Sequence, residues 1–362
     1  MRRSTRQISV GGVKVGGGAS VSVQTMCNLD PHDPAAIAEQ ARRVAAAGCD
    51  IFRITVPDAQ AASAIAEVKR LCGIPLVADI HFDWRCALAA IEAGADALRL
   101  NPGNIGSASR VREVAAAAKA RKIPIRVGVN MGSLEKGLAE AVASGAMRPA
   151  EALCRSALDE LAILEGEGFR DVAVSAKASN VPDTLEAYRL LAERTDAPLH
   201  LGVTEAGTAI PGVARSAVAM GILLSEGIGD TIRVSLSAPP ETEVKAGLEI
   251  LRSLGLRAPG PSVTSCPTCG RTKVPLFETA AEVESRLEAL YAERLRSGAG
   301  TENFPRVAVM GCAVNGPGEA KGADVALCGG DGCWILYVKG SPVAKVSPDE
   351  AAGKVMEHVL SL

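Results

Sequence analysis

Aromatic residues make up only 3% of the 362-residue chain, and two of them are tryptophan, so a core of this size has to be assembled from Ala, Val, Ile and Leu. Parallel sheets covered by helices are built that way, which points to an α/β protein. An excess of one charge is also missing. The 39 Lys and Arg stand against 41 Asp and Glu, a formal net charge of −2, which excludes wholesale disorder and argues against nucleic acid or any polyanion held through net charge. Long apolar runs are absent. The longest uncharged stretch, Val15 to Leu29, contains Gly, Ser, Gln and Asn and falls short of the roughly 18 apolar residues of a membrane span. The basic start, Met1-Arg-Arg-Ser-Thr-Arg-Gln, soon meets Gly-Gly and no apolar segment, so it does not read as a secretory signal, and a cytoplasmic protein is expected. Neither a dinucleotide fingerprint nor a Cys-x3-Cys-x2-Cys run occurs. That disfavours direct hydride transfer from a bound nucleotide and a radical S-adenosylmethionine enzyme.

What is present is a repeat. Short β-branched runs at Val21–Met26, Ile51–Val56, Pro75–Ile80, Ala97–Asn101, Ile123–Asn130, Asp171–Lys177, Pro198–Val203 and Thr231–Ser237 recur about every thirty residues, the size of a βα unit. Amphipathic Ala/Leu/Glu/Arg segments fill the intervals. Eight strands and eight helices are the count of a (β/α)8 TIM barrel, with an open doubly wound sheet as the competing architecture. Ile8-Ser-Val-Gly-Gly-Val-Lys-Val reads as a hairpin that caps the barrel bottom. Gly255 and Arg257-Ala-Pro-Gly-Pro-Ser break the pattern. The expected division is therefore a barrel at residues 1–256 and a small α+β domain at residues 261–362.

Helix-covered strands should be nearly all apolar, yet four carry an arginine: Arg53, Arg99, Arg126 and Arg233. At period two, Arg99 points with Asn101, Arg126 with Gly128 and Asn130, Arg233 with Ser235, and Asp79 with His81. Each set climbs toward the C-terminal end of a strand, where barrel enzymes keep their active sites. Lys177, His200 and Glu205 fall at or near the matching parts of the next strands. A single buried arginine often pairs with a helix carboxylate outside the barrel. Four at similar depth, opposed only by Asp79 and Glu205, are read as a cationic mouth, and forked guanidinium groups suit a diphosphate. Backbone N–H groups at Gly103–Gly106 could add to such a site.

The ten cysteines are unevenly used. Cys27, Cys49, Cys72, Cys86 and Cys154 lie singly and read as small core residues. Cys266, Cys269, Cys312, Cys328 and Cys333 crowd into the last hundred residues. Cys266-Pro-Thr-Cys269 is a two-ligand turn and Cys312 supplies a third thiolate, a pattern that serves zinc and iron–sulfur centres equally. Cys328 and Cys333 could complete a zinc site, or Glu319 could supply the one non-thiolate position of an iron–sulfur cluster. Spacing alone also leaves open a non-redox barrel enzyme with a structural zinc domain, and a zinc-bearing module that binds RNA or protein.

Longer motifs decide among these. Pro75-Leu-Val-Ala-Asp-Ile-His-Phe-Asp, Leu98-Arg-Leu-Asn-Pro-Gly-Asn-Ile-Gly, Pro198-Leu-His-Leu-Gly-Val-Thr-Glu-Ala-Gly, Ser265-Cys-Pro-Thr-Cys and Gly311-Cys-Ala-Val-Asn-Gly-Pro-Gly-Glu-Ala resemble the 4-hydroxy-3-methylbut-2-en-1-yl diphosphate synthases, reductive enzymes of the methylerythritol phosphate route to isoprenoids. The resemblance implies a TIM barrel joined to a cluster domain similar to a sulfite-reductase module, without the inserted middle domain of the plant-type enzyme. It implies a 4Fe-4S cluster on Cys266, Cys269, Cys312 and Glu319, and a cyclic diphosphate substrate opened with electrons from reduced flavodoxin or ferredoxin. On that footing Arg53, Arg99, Arg126, Lys177, His200, Arg233 and Ser235 hold the diphosphate, while Asp79, His81, Asn101, Asn130 and Asn315 orient the rest of the substrate. Glu205 is the candidate proton donor, and Glu319 takes part in catalysis by yielding its iron. The linker from Gly255 reaches only about 20 Å when extended, against a barrel on the order of 30 Å tall. A homodimer with composite active sites is therefore expected, with no nucleic acid or membrane partner. Asn28-Leu-Asp-Pro-His-Asp departs from the family's Thr-rich stretch, and Cys328 and Cys333 match no family ligand.

Overall fold

Val, Ile and Leu dominate the runs expected as strands, and in the computed structural model each of those runs forms one. The structure describes residues 2–314 and 316–362, with Glu319 described by its backbone alone. Asn315 and the Glu319 side chain, both named above as site candidates, lie outside what is described. Two units result, Met1–Arg257 and Ala258–Leu362.

The first unit opens with an antiparallel hairpin of β1 (Gln7–Val10) and β2 (Val13–Gly16) turned on Gly11 and Gly12. Eight parallel strands follow: β3 (Ser22–Met26), β4 (Ile51–Thr55), β5 (Leu76–Asp79), β6 (Ala97–Leu100), β7 (Ile125–Asn130), β8 (Val172–Lys177), β9 (His200–Leu201) and β10 (Thr231–Ile232). Their hydrogen-bonded order is β8-β7-β6-β5-β4-β3-β10-β9, and a Val174–Leu199 bridge joins the two ends of that row. The sheet is thus a nearly closed (β/α)8 barrel, and the open doubly wound alternative is excluded.

Helices return the chain between strands and pack alanine against it: Ala38, Ala41, Ala61, Ala62, Ala87, Ala90, Ala118 and Ala187 are buried. Small side chains let helix and sheet approach closely, which is how the chain fills its core with so few aromatics. Asp33, Asp58 and Asp83 cap the helices after β3, β4 and β5 and fix the start of each loop at the barrel's C-terminal mouth. Two short helices, Pro102–Ile105 and Lys136–Ala143, add to the eight that were expected. At the opposite end, Ile8, Val10 and Val15 pack on Ile51, Val77, Ala97 and Ala173, residues near the starts of their strands. Arg2 and Arg3 tie the N-terminal segment to backbone oxygens of Gly229 (2.9 Å) and Ala197 (2.6 Å).

In the second unit, β11 (Val263–Ser265), β12 (Val307–Met310) and β13 (Val325–Gly329) run parallel, and β14 (Trp334–Val338) and β15 (Ser341–Val346) complete the sheet antiparallel. β11 and β15 are edge strands that the sequence reading missed. One is three residues long, and the other contains Pro342, which an edge tolerates because no ladder donor is needed there. Helices Leu276–Ser297 and Ala351–Leu360 cover one face through Val283, Leu287, Val355 and Val359. Among the described residues no helix is long and apolar enough to cross a membrane.

Candidate active site

The strand arginines converge. Arg53, Arg99, Arg126 and Arg233 line one cavity of about 230 Å³ with Asn130, Lys177, Glu205 and Ser235, and with Gly128, Ser175 and Thr204 as well. The arginines therefore face the barrel interior and not its helical coat. Two close approaches depend on glycine. A Cβ on Gly128 would lie 2.6 Å from Arg99 Nε, and one on Gly202 would lie 2.7 Å from Lys177 Nζ.

Two buried carboxylates hold this array. Asp79 on β5 accepts from Arg53 Nη2 at 2.9 Å and faces Arg99 Nη1 at 3.4 Å. Burial opposes its charge, but the two guanidinium groups and His81 prevail and keep the carboxyl below its usual range. Arg99 also donates to the Gly128 carbonyl at 2.5 Å. Glu243, which sequence reasoning missed, does the same for Arg233, accepting from Nε and Nη2 at 3.3 Å each. Its sequence signal was there: an acidic residue in the first turn of the helix Pro240–Ser253 that follows the arginine-bearing strand.

Other members remain short of partners. Arg126 is buried, and its Nε and Nη2 have no hydrogen-bond partner. Burial and then the neighbouring Arg126, Arg233, Arg53 and Arg99 push the Lys177 ammonium well below its ordinary range. Asp79 and Glu243 answer Arg53, Arg99 and Arg233 but make no ion pair with Arg126 or Lys177, and buried charge left so is costly. An anion of two or more charges relieves that cost, so the cavity is chemically a receptor for one. Glu205 stands on the wall with φ +54, a left-handed conformation that a non-glycine residue adopts at a cost of about 1 kcal/mol or more and that is concentrated at functional sites.

Four candidates do not line this cavity, and the first is Asp79, fully buried against Arg53 and Arg99 and so a brace for them, not a contact for substrate. His200 is fully buried in a layer beneath the cavity, beside Gln24, Thr231 and the lower side of Arg126, so it does not reach the wall where a diphosphate would be held. The expectation put it at the level of the cavity, one layer above where it lies. Asn101 is buried and accepts from the Gly128 N–H at 2.9 Å, behind the wall. His81 stands at the rim, half-exposed and 3.9 Å from Asp79. The Gly103 N–H is not free for an anion either, because Glu160 accepts it at 2.7 Å.

In the second unit the thiols gather at the ends of two adjacent parallel strands. Cys266 follows β11, Cys312 follows β12, and the Gly311 N–H donates to Cys266 Sγ at 3.2 Å. Cys269 is exposed, and hydrogen bonds from the Arg271 backbone and side chain draw its thiol down from the ordinary value. Cys328 is buried in β13 opposite Met310, and burial first, then the charges of Cys312 and Cys266, push its thiol up to about 11. Its side chain packs with Ala308, Met310, Ala320 and Ala326 as a small core residue. Among the described residues no three His, Cys, Asp or Glu side chains already stand close enough together to hold a metal ion. The five cysteines of the first unit are buried or partly buried against its core, Cys49 being pushed up to about 12 by burial.

Fold and site together define a (β/α)8 barrel enzyme for a multiply charged anion, joined to a separate α+β unit that presents three thiols. The chain belongs to the GcpE family: residues 5–248 match the GcpE TIM-barrel domain and residues 262–361 the GcpE protein C-terminal domain. Its relatives include the 4-hydroxy-3-methylbut-2-en-1-yl diphosphate synthase (flavodoxin) of Geobacter sulfurreducens, 51% identical over 99% of this chain and 98% of that one. The enzymes of the same name from Caldanaerobacter subterraneus subsp. tengcongensis and Clostridium acetobutylicum are 49% and 48% identical, over 99% of this chain and 97% and 99% of theirs. Among solved structures, the Yersinia pestis dihydropteroate synthase aligns with a TM-score of 0.49 and 15% identity over 70% of this chain and 98% of that one.

Proposed function

We propose that this chain is a cytoplasmic 4-hydroxy-3-methylbut-2-en-1-yl diphosphate synthase that draws its electrons from flavodoxin. The reaction opens 2-C-methyl-D-erythritol 2,4-cyclodiphosphate and removes a hydroxyl group as water, consuming two electrons and two protons. The cavity with five cationic side chains carries this reading at the level of residues.

Arg53, Arg99, Arg126, Lys177 and Arg233, with Ser235, bind the diphosphate. Arg53 and Arg99 share Asp79 and Arg233 is gripped by Glu243, so their guanidinium planes are set before substrate arrives. Ring opening frees a phosphate oxygen and leaves one more negative charge on it. Arg126, with two unpartnered nitrogens, and Lys177, whose ammonium form burial and the surrounding arginines disfavour, are the groups with most to gain from that charge. Asn130 contacts the carbon skeleton or its hydroxyls, and Glu205 gives the proton that turns the departing hydroxyl into water. His81 at the rim orients the end of the substrate nearest Asp79.

The thiol unit suits a 4Fe-4S cluster. Three thiols stand at the ends of neighbouring strands, one already lowered toward thiolate, and Cys266, Cys269, Cys312 and Glu319 would hold it. Such a cluster supplies single electrons, which no side chain does at the needed potential. We infer further that the active form is a homodimer in which one copy's cluster unit serves the other's barrel. Mixing inactive Cys269→Ser and Glu205→Gln chains should then restore activity, and mixed dimers that form but stay inactive refute that arrangement.

The central test is anaerobic. Protein reconstituted with iron and sulfide, given the cyclic diphosphate and reduced flavodoxin, should yield the allylic diphosphate by mass spectrometry. A colourless, zinc-loaded protein without turnover would defeat the reading.

A further inference from the structure

Glu243 lies outside every motif singled out in the sequence, yet its contacts tie it to the cavity more closely than most residues that were. It is buried on the helix Pro240–Ser253 and uses both carboxylate oxygens twice. Oε1 accepts from Arg233 Nη2 at 3.3 Å and from the Leu236 N–H at 2.9 Å. Oε2 accepts from Arg233 Nε at 3.3 Å and from Thr25 Oγ1 at 2.6 Å. One carboxylate thus fixes the guanidinium of Arg233, the backbone just after Ser235 and a side chain of β3, where the barrel joins its last strand to its first.

The geometry points to Glu243 as a positioning residue for the anion, acting through Arg233 and Ser235. This rests on the proposed reaction only for the identity of the anion. With Nε and one edge of Nη2 engaged by Glu243, and with Nη1 against Met26 Sδ at 3.5 Å, the guanidinium has a single orientation toward the cavity. The Leu236 N–H bond holds the strand end so that Ser235 stands on the same wall. An amide cannot keep both sides of this grip. Four donors converge on two oxygens, so a glutamine must turn its NH2 toward two of them, and an N–H facing an N–H is repulsive whichever way the amide is flipped. Aspartate keeps the charge and both oxygens but stops one methylene short.

The experiment is a double-mutant cycle on the reconstituted holoenzyme, reading KM and kcat for the cyclic diphosphate and the inhibition constant of inorganic diphosphate. Glu243→Gln should raise KM and the diphosphate inhibition constant about tenfold, and Glu243→Asp by less. In an Arg233→Ala background, Glu243→Gln should add less than about twofold, because contacting groups that act as one unit are not additive. Equal effects of Glu243→Gln in both backgrounds, or unchanged constants in the single variant, overturn the proposal. A merely structural carboxylate would lower the melting temperature and the fraction of active enzyme but leave KM and the inhibition constant in place. If the wild-type protein binds inorganic diphosphate yet does not turn over the cyclic substrate, the proposed reaction fails while the cycle on diphosphate binding still decides the role of Glu243.

Discussion

The two units keep their chemistry in opposite conditions. In the barrel, the working side chains stand on strands or in the few residues after them, are largely buried, and include arginines braced in advance by Asp79 and Glu243. In the second unit Cys266, Cys269 and Cys312 stand on loops past the strand ends, and Cys269 is exposed. A site for an anion that arrives and leaves thousands of times has to be ready beforehand, because each reorganisation would be charged to every turnover. A site for a resident cofactor needs to close only once, and metal binding itself can drive that ordering. The barrel is preorganised by its own carboxylates.

The largest effect should come from breaking the second half of that contrast. Serine in place of Cys266, Cys269 or Cys312 should abolish bound iron and turnover, whereas Cys328→Ser and Cys333→Ser should leave iron near normal. Iron and acid-labile sulfide per chain measure this, and loss of iron in the Cys328 or Cys333 variants would reassign the ligands.

Next comes the braced array. Alanine at Arg53, Arg99, Arg126 or Arg233 should weaken substrate binding by about 1.5–3 kcal/mol each, the range of a hydrogen bond to a charged group. Arg53 and Arg99 share Asp79, so their double variant should fall short of the sum of the single losses on calorimetric titration. A strictly additive pair would mean that Asp79 does not couple them.

Smaller is the pH effect at Lys177. Its affinity for a proton is depressed in the free cavity and restored when a diphosphate compensates the surrounding arginines, so binding should take up a proton and weaken as pH rises. Titration in buffers of different ionisation enthalpy measures the uptake, and Lys177→Met should abolish it.

The smallest lies at the rim. His32, in the stretch that departs from the family pattern, places Nδ1 2.9 Å from Asp30 and Nε2 2.9 Å from Asp58. Hydrogen bonds to Asp58 and then Asp30 raise its affinity for a proton, and only the imidazolium can donate at both nitrogens. A raised folded-state value means the stabilisation is full below about pH 6.5 and fades as pH climbs through that higher value. The melting temperature of His32→Gln should trail wild type most at low pH, and a gap that does not change with pH would contradict the pairing.

Much of this was legible beforehand because period is. The arginines in otherwise apolar strands could be placed on the inward face from alternation alone, as could Asn130, Lys177 and Ser235. Depth was harder to read. His200 shares that alternation, but the stagger between neighbouring strands decides whether an inward side chain meets the cavity or the layer below it. Glu243 escaped because helix periodicity says which face is buried and not which strand residue it meets. The edge strands of the second unit escaped because a three-residue strand and one carrying Pro342 have too little pattern to be seen.

The hairpin at the start of the chain has a consequence for traffic. With Ile8, Val10 and Val15 plugging the floor and Arg2 and Arg3 stitching the segment down, the barrel is a room with one door. Whatever enters by the mouth must leave by it, so the finished diphosphate blocks the next molecule until it goes. Product escape is then a candidate for the slowest event of the cycle, and loosening the far end of the molecule would change stability without opening a second way out.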